Sequence, residues 1–257
     1  MAFTPGLVSI TFRQLSPAQV LDAAVAAGLS SIEWGGDKHC PHGDVARATE
    51  VAGLTRARGL TVGAYGSYYR LGGGPGVPDF ADVLGSAQAL GAPRIRVWAG
   101  TSGSAGTSAA QRAVIVADGR LCAELAAEHG ITVVSEWHGG TLTDTLESGR
   151  GLLTAIGHPG FRTVWQPGVG LDAEQALAEL AGILPWLDHL HVFHWQERER
   201  RPLAEGAARW RRYLDLAATA GRPLVAAVEF VLGDDPAQLM RDGAALNDLL
   251  SGRTPTP

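Results

Sequence analysis

A single (β/α)8 TIM barrel is the fold class the sequence predicts, and three observations lead to it. Strand-like and helix-like segments alternate eight times along 257 residues, and one such barrel typically takes about 250. The strand segments are apolar on both sides, as parallel strands buried on both faces are. Five runs close an apolar stretch on a Trp beside a polar or metal-capable side chain: SIEWGGDKH (31–39), RIRVWAG (94–100), VVSEWHGG (133–140), TVWQPG (163–168) and LHVFHW (190–195). Chemistry gathered at the C-terminal ends of strands marks this barrel, whose active site is built on that face. An open doubly wound sheet is the main alternative, and the lack of a glycine-rich dinucleotide turn argues against it.

The elements follow in order. Strands are expected at 6–12, 30–36, 60–69, 94–100, 131–139, 162–168, 187–195 and 223–231, each short and rich in Val, Ile or aromatic residues. The first helix is SPAQVLDAAVAAG (16–28), with Ser16 as its cap and Pro17 at the first helical position. Further helices show apolar residues three and four apart over roughly 44–58, 77–90, 108–129, 143–156, 172–183, 206–220 and 235–250. Glycines at 28, 59, 91, 130, 157 and 221 fall just after six of these segments, where a left-handed C-cap favours glycine. No linker or composition break divides the chain. One domain is expected over 1–252, with a flexible tail at 253–257.

Composition narrows the function classes. With 46% hydrophobic and 18% charged residues, the chain has material for a large core and reads as globular. No apolar run approaches the roughly 20 residues a membrane span needs. The start, MAFTPGLVSITF, lacks the features of a signal peptide and reads as a first strand, so a cytoplasmic location is expected. A net charge of −5 offers no basic field for nucleic acid. Cys40 and Cys122 belong to no CxxC pair and read as free thiols. The expected partner is a small sugar or polyol, and a homodimer is left open.

Glu136 is the strongest candidate for chemistry, because a carboxylate inside VVSEWHG is costly unless it is paired or bound to a cation. Glu229 repeats the pattern in VAAVEFV. His191 in LHVFHW is the better inward ligand of its run. His194, an odd spacing away, faces the other side unless the strand passes into a loop there. Gln166, in WQPG, offers a neutral carbonyl oxygen at a matching strand end. Glu136, Gln166, His191 and Glu229 together could hold one divalent cation. The competing reading pairs each glutamate with an arginine near the barrel mouth.

These residues carry a resemblance. From IEWGGDKH through EWHGGTLTD and HVFHW to VEFVLGDDP, the chain resembles the xylose isomerase-like TIM barrels, in the sugar phosphate isomerase/epimerase branch. That branch also holds ketose 3-epimerases, hydroxypyruvate isomerase and inosose dehydratase. The resemblance implies a Glu, Asp, His, Glu set at the ends of strands five to eight, holding Mn²⁺, Mg²⁺ or a similar ion. The set falls here on Glu136, Gln166, His191 and Glu229. Gln166 stands where most relatives carry Asp, and Val169 where a His often follows, so weaker metal binding is expected. Glu136 and Glu229 are then the proton-transfer pair, acting next to a substrate carbonyl through an enediolate. The implied activity is isomerisation or epimerisation of a sugar, sugar phosphate or polyol. A keto-polyol dehydratase and a non-catalytic sugar-binding barrel are the alternatives.

Other features are weighed beside this set. The tryptophans at 34, 98, 137, 165 and 195 are expected to line the mouth, with Trp34 and Trp165 first as substrate contacts. His42, His138, His194 and Arg198 complete the substrate-binding candidates. Six arginines in 197–212 could grip phosphate, although a solvated loop is the simpler reading. The only lysine, Lys38, keeps a Schiff-base aldolase in view, but its polar surroundings do not depress a lysine pKa.

Overall fold

Eight strands close into a parallel barrel in the computed structural model, which describes residues 3–255. In chain order the strands are β1 (Phe3–Val8), β2 (Ser31–Gly35), β3 (Thr61–Arg70), β4 (Arg94–Trp98), β5 (Thr132–Glu136), β6 (Phe161–Trp165), β7 (Leu187–Val192), β8 (His194–Gln196), β9 (Glu199–Arg201) and β10 (Leu224–Val228). The barrel runs β1-β10-β7-β6-β5-β4-β3-β2, and β8 and β9 form a separate antiparallel hairpin. The helices are α1 (Pro17–Ala26), α2 (Val45–Ala57), α3 (Phe80–Leu90), α4 (Ala109–Ala127), α5 (Leu146–Ile156), α6 (Ala173–Ile183), α7 (Ala207–Ala218) and α8 (Pro236–Leu250). Among the described residues no helix is long and apolar enough to cross a membrane.

Local chemistry sets the helix ends where the sequence places them. Ser16 caps α1 in a reciprocal box with Gln19, and Ser108 does the same for α4 with Gln111. Gly91 ends α3 in the left-handed conformation at φ 71°, which a side chain would strain.

Six of the eight expected strands end two to four residues sooner than the apolar pattern suggests, and two of them bear on the site. The run at 6–12 is a strand only to Val8, and Ser9–Phe12 forms a 3-10 turn over the barrel mouth. The run at 187–195 breaks after Val192, so His194 and Trp195 belong to the hairpin. Of the expected tail, residues 256 and 257 lie outside the described residues, as do residues 1 and 2 of the expected domain.

Candidate active site at the barrel mouth

Strand β4 shows how the barrel axis is built. Its inward positions are Arg94, Arg96 and Trp98, while Ile95 and Val97 alternate outward into the buried layer under the helices. Arg94 sits low and donates through Nε to Asp188, at the start of β7. Arg96 occupies the middle with its side chain 2% exposed, and Trp98 reaches the cavity wall. A charged residue at such depth needs acceptors. Arg96 has two: Nε donates to Glu33 Oε1 at 2.6 Å, and Nη1 donates to Glu136.

Glu33 is the hub of this layer. Its Oε2 faces His189 Nε2 at 3.2 Å and His191 Nε2 at 3.0 Å, both on β7. His189 Nδ1 meets Asp188 at 3.1 Å, so one polar chain runs up the barrel from Asp188 to Glu33. Burial would raise the Glu33 carboxyl, but His191 and Arg96 outweigh it and hold it well below the usual range. Glu136 is likewise lowered, by Arg96 and then His191, against its burial. Burial would lower His191; the Glu33 and Glu229 carboxylates overcome this and push it up to about 10.

A cavity of about 610 Å³ opens above the layer, reached by Arg96, Glu136, Gln166 and Glu229. Its walls are aromatic: Tyr68, Trp98, Trp137, Phe193, Trp195 and Phe230. His138 stacks on Trp98 with ring centroids 4.8 Å apart. Phe230 has φ 54°, uncommon for a bulky residue, and its N–H donates to Thr11 Oγ1 at 3.1 Å. Strand alternation would send Phe230 away from the side that Glu229 faces. The left-handed turn brings both to the cavity.

Of the expected metal set, Glu136, Gln166 and Glu229 line the cavity, and His191 lies beneath, fully buried between Glu33 and Glu229. Three of the four carry a buried polar atom with no hydrogen-bond partner: Gln166 Oε1, His191 Nδ1 and Glu229 Oε2. Orphaned atoms of this kind call for an explanation. His191 Nδ1 and Glu229 Oε2 lie 3.5 Å apart, so two of the three face each other, while His191 Nε2 is held at Glu33. Glu33, Glu136 and Glu229 gather around Arg96 and a His191 that its carboxylate neighbours push toward the charged form, so the layer is rich in carboxylates. Glu136, Gln166, His191 and Glu229 are donor types that a divalent cation takes, and such an ion would displace the His191 proton.

A second grouping competes. Among the described residues, the set of His, Cys, Asp or Glu whose donor atoms all lie within 4.8 Å of one another is Glu33, His189 and His191. Those atoms already satisfy each other, with both imidazoles on one carboxylate oxygen and Arg96 on the other. Gln166 Oε1 and Glu229 Oε2 lie outside this group. Glu33 and His189 brace His191, which belongs to both groupings.

Several expected substrate contacts stand outside the cavity. Glu33 faces the axis, so its neighbour Trp34 points outward, fully buried, with Nε1 on Thr55 of α2 at 3.2 Å. Trp165 is also fully buried and packs on Tyr213 and Trp210 of α7, at centroid distances of 5.3 and 6.4 Å. Both tryptophans are corrected to the layer between barrel and helices. Trp165→Ala should cost about 3–5 kcal/mol of stability in denaturant unfolding. The same variant should leave KM for the substrate unchanged, and a large rise in KM would restore Trp165 to the site.

His42 accepts from the Tyr68 N–H at 3.2 Å and supports the rim without lining the cavity. His194 lies in the hairpin against Gly206, facing away, and Arg198 is exposed at the hairpin turn. Arg200 pairs with Asp234, Arg201 with Glu199 and Arg212 with Glu174, so half of the six arginines are held by carboxylates. Lys38 is exposed. His138, Trp98, Trp137 and Trp195 do line the cavity.

Sequence reading passed over Glu33, Arg96 and His189. The signal was present, since Glu33 in SIEWGG is as anomalous in an apolar strand as Glu136 in VVSEW. Arg96 in RIRVW is a charge in the same kind of setting.

Comparison with known proteins bears on this geometry. The model of the xylose isomerase-like TIM barrel family matches residues 21–247. A 3-dehydroshikimate dehydratase of Bacillus anthracis is 37% identical over 105 residues, which is 38% of this chain and 35% of that protein. The aligned part thus spans about a third of that curated relative. The crystal structure of the probable 3-DHS dehydratase AsbF, from Bacillus anthracis, superposes with a TM-score of 0.76 at 21% identity, covering 95% of this chain and 98% of that one. A xylose isomerase-like TIM barrel protein from Mycobacterium smegmatis, in complex with magnesium, gives 0.73 at 13% identity, covering 97% of each chain. At these identities the two structures show a common fold.

Proposed function

The chain belongs to the xylose isomerase-like TIM barrel family, and on that premise we propose that it is an enzyme removing water from a six-membered-ring hydroxy ketone of the 3-dehydroshikimate class. The observation that carries this is Glu229 Oε2, a buried carboxylate oxygen with no hydrogen-bond partner on a residue that lines the cavity. That oxygen lies 3.5 Å from His191 Nδ1, and a carboxylate in the wall of such a cavity can serve as a general base. The aromatic walls favour a flat ring over a flexible open-chain polyol. The partial dehydratase relative supports the same choice.

In this reading Glu229 removes a proton from the carbon beside the ring carbonyl, and the electron pair passes to the carbonyl oxygen as an enolate. The pair then returns and breaks the bond to the β-hydroxyl. That group takes up a proton and departs as water, leaving a new C=C bond. Glu136, held by Arg96 and by Gln166 Nε2 at 3.1 Å, is fixed as the second carboxylate of the site. A divalent cation held by Glu136, Gln166, His191 and Glu229, with Mn²⁺ or Mg²⁺ our first choices, would supply polarisation of the carbonyl. The first step is shared with epimerisation of a keto sugar, in which a proton returns to the opposite face. That reading, the first one the sequence suggests, now stands second.

Incubation with 3-dehydroshikimate should give a growing aromatic ultraviolet band and new aromatic proton resonances, through loss of one water. Unchanged 3-dehydroshikimate alongside epimerised keto sugars would overturn the dehydratase reading in favour of the epimerase.

A further inference from the structure

We propose that Arg96 is a catalytic residue, whose Nη2 end donates to the substrate oxygen on which negative charge collects when the proton leaves. The proposal rests on the reading of this cavity as the place where a ketone is enolised.

An arginine in the middle of RIRVW is a costly choice. Replacing a buried ion-pair network by apolar side chains is often neutral or stabilising, so fold stability alone is a weak reason for it. The arrangement has the form of a positioned donor. Nε is held by Glu33 at 2.6 Å and Nη1 by Glu136, which fixes the guanidinium plane from two sides. Gly66 on β3 makes the room, since a Cβ there would stand 2.8 Å from both Nη2 and Glu33 Oε1. Nη2 is the end left over. It has no acceptor among the described residues, it is not among the fully buried atoms, and Arg96 lines the cavity.

Charge selects what Nη2 would meet. The guanidinium is already shared by two carboxylates, so a third full carboxylate there would be repelled. A carbonyl oxygen is neutral on binding and gains charge only as the reaction proceeds. A donor fixed in advance at that oxygen therefore strengthens its bond mainly in the transition state.

The test uses metal-free protein and 4-nitrocatechol, a flat hydroxy-aromatic probe whose visible band reports ionisation of its hydroxyl. The wild type should bind the probe and favour its ionised form about tenfold over the free probe, corresponding to about one pKa unit. Arg96→Lys keeps a charge but loses the fork. The double variant Arg96→Gln with Glu33→Gln removes the Arg96–Glu33 pair together, and the new amide at position 96 can still donate to Glu136. Both should lose the tenfold effect, and with substrate they should lose about 10²–10³-fold in kcat while KM moves less than threefold. Guanidinium ¹⁵N resonances of the wild type need no variant, and the Arg96 signal should shift when the probe binds.

A wild type that fails to bind or ionise the probe, or an Arg96 signal that does not move, overturns the proposal. So do folded variants that ionise the probe as the wild type does, or a raised KM with unchanged kcat. The two readings fail separately. Loss of 3-dehydroshikimate turnover with probe ionisation intact rejects dehydration alone, and the converse rejects Arg96 alone.

Discussion

Glu229→Gln should lower turnover by at least about 10²–10⁴-fold, the usual contribution of a general acid–base group, while the protein keeps its fold. The expectation of a near-native fold has a structural reason. The one ion-pair contact of Glu229 is long, Oε2 to His191 Nδ1 at 3.5 Å, and an amide there keeps the shape of the side chain. Glu136→Gln should also abolish turnover, but it breaks the buried pair with Arg96, whose side chains are 2% and 6% exposed. Removing one partner of such a pair costs about 3–5 kcal/mol, so thermal unfolding should separate the two variants. Turnover in D₂O should place deuterium at the carbon beside the carbonyl in any recovered substrate or epimeric product. A Glu229→Gln protein with near-normal turnover would remove Glu229 as the base.

The second large effect concerns the cation. The purified protein should hold, or take up, about one divalent ion per chain, and a chelator should abolish turnover in a way that added Mn²⁺ or Mg²⁺ reverses. Glu136→Gln and His191→Ala should each greatly reduce occupancy in calorimetric titration. Gln166→Asp should tighten binding, because it adds a third carboxylate to the set and charge count governs affinity for hard cations. Unchanged affinity in Gln166→Asp would count against Gln166 as a ligand. His189→Ala distinguishes the two groupings. If the ion is lost there yet survives in Glu229→Gln and Glu136→Gln, it sits on Glu33, His189 and His191 instead.

Much of the frame was legible in the sequence because its signals are local. Capping serines, C-terminal glycines and apolar strand runs act within a few residues, so helices such as α4 and α6 fall within about two residues of their expected bounds. Alternation also carried part of the site. It separated His191 from His194, and the break after Val192 shows why one lies on the axis and the other in a hairpin.

By itself the sequence determined the barrel, the strand ends that carry Glu136, Gln166, His191 and Glu229, and the anomaly of charges in apolar strands. Only the tertiary structure decided which of those charges meet. Glu33 and Arg96 are 63 residues apart, and Glu33 and His191 158 apart, so no local pattern joins them. Closure of β1 against β10 fixes the cross-barrel distances, and those alone make Glu33 a hub and leave Arg96 with one free end. The tryptophans show the same limit from the other side. An indole at a strand end is equally good wall or core, and Trp34 and Trp165 became core because their neighbours Glu33 and Gln166 took the inward positions.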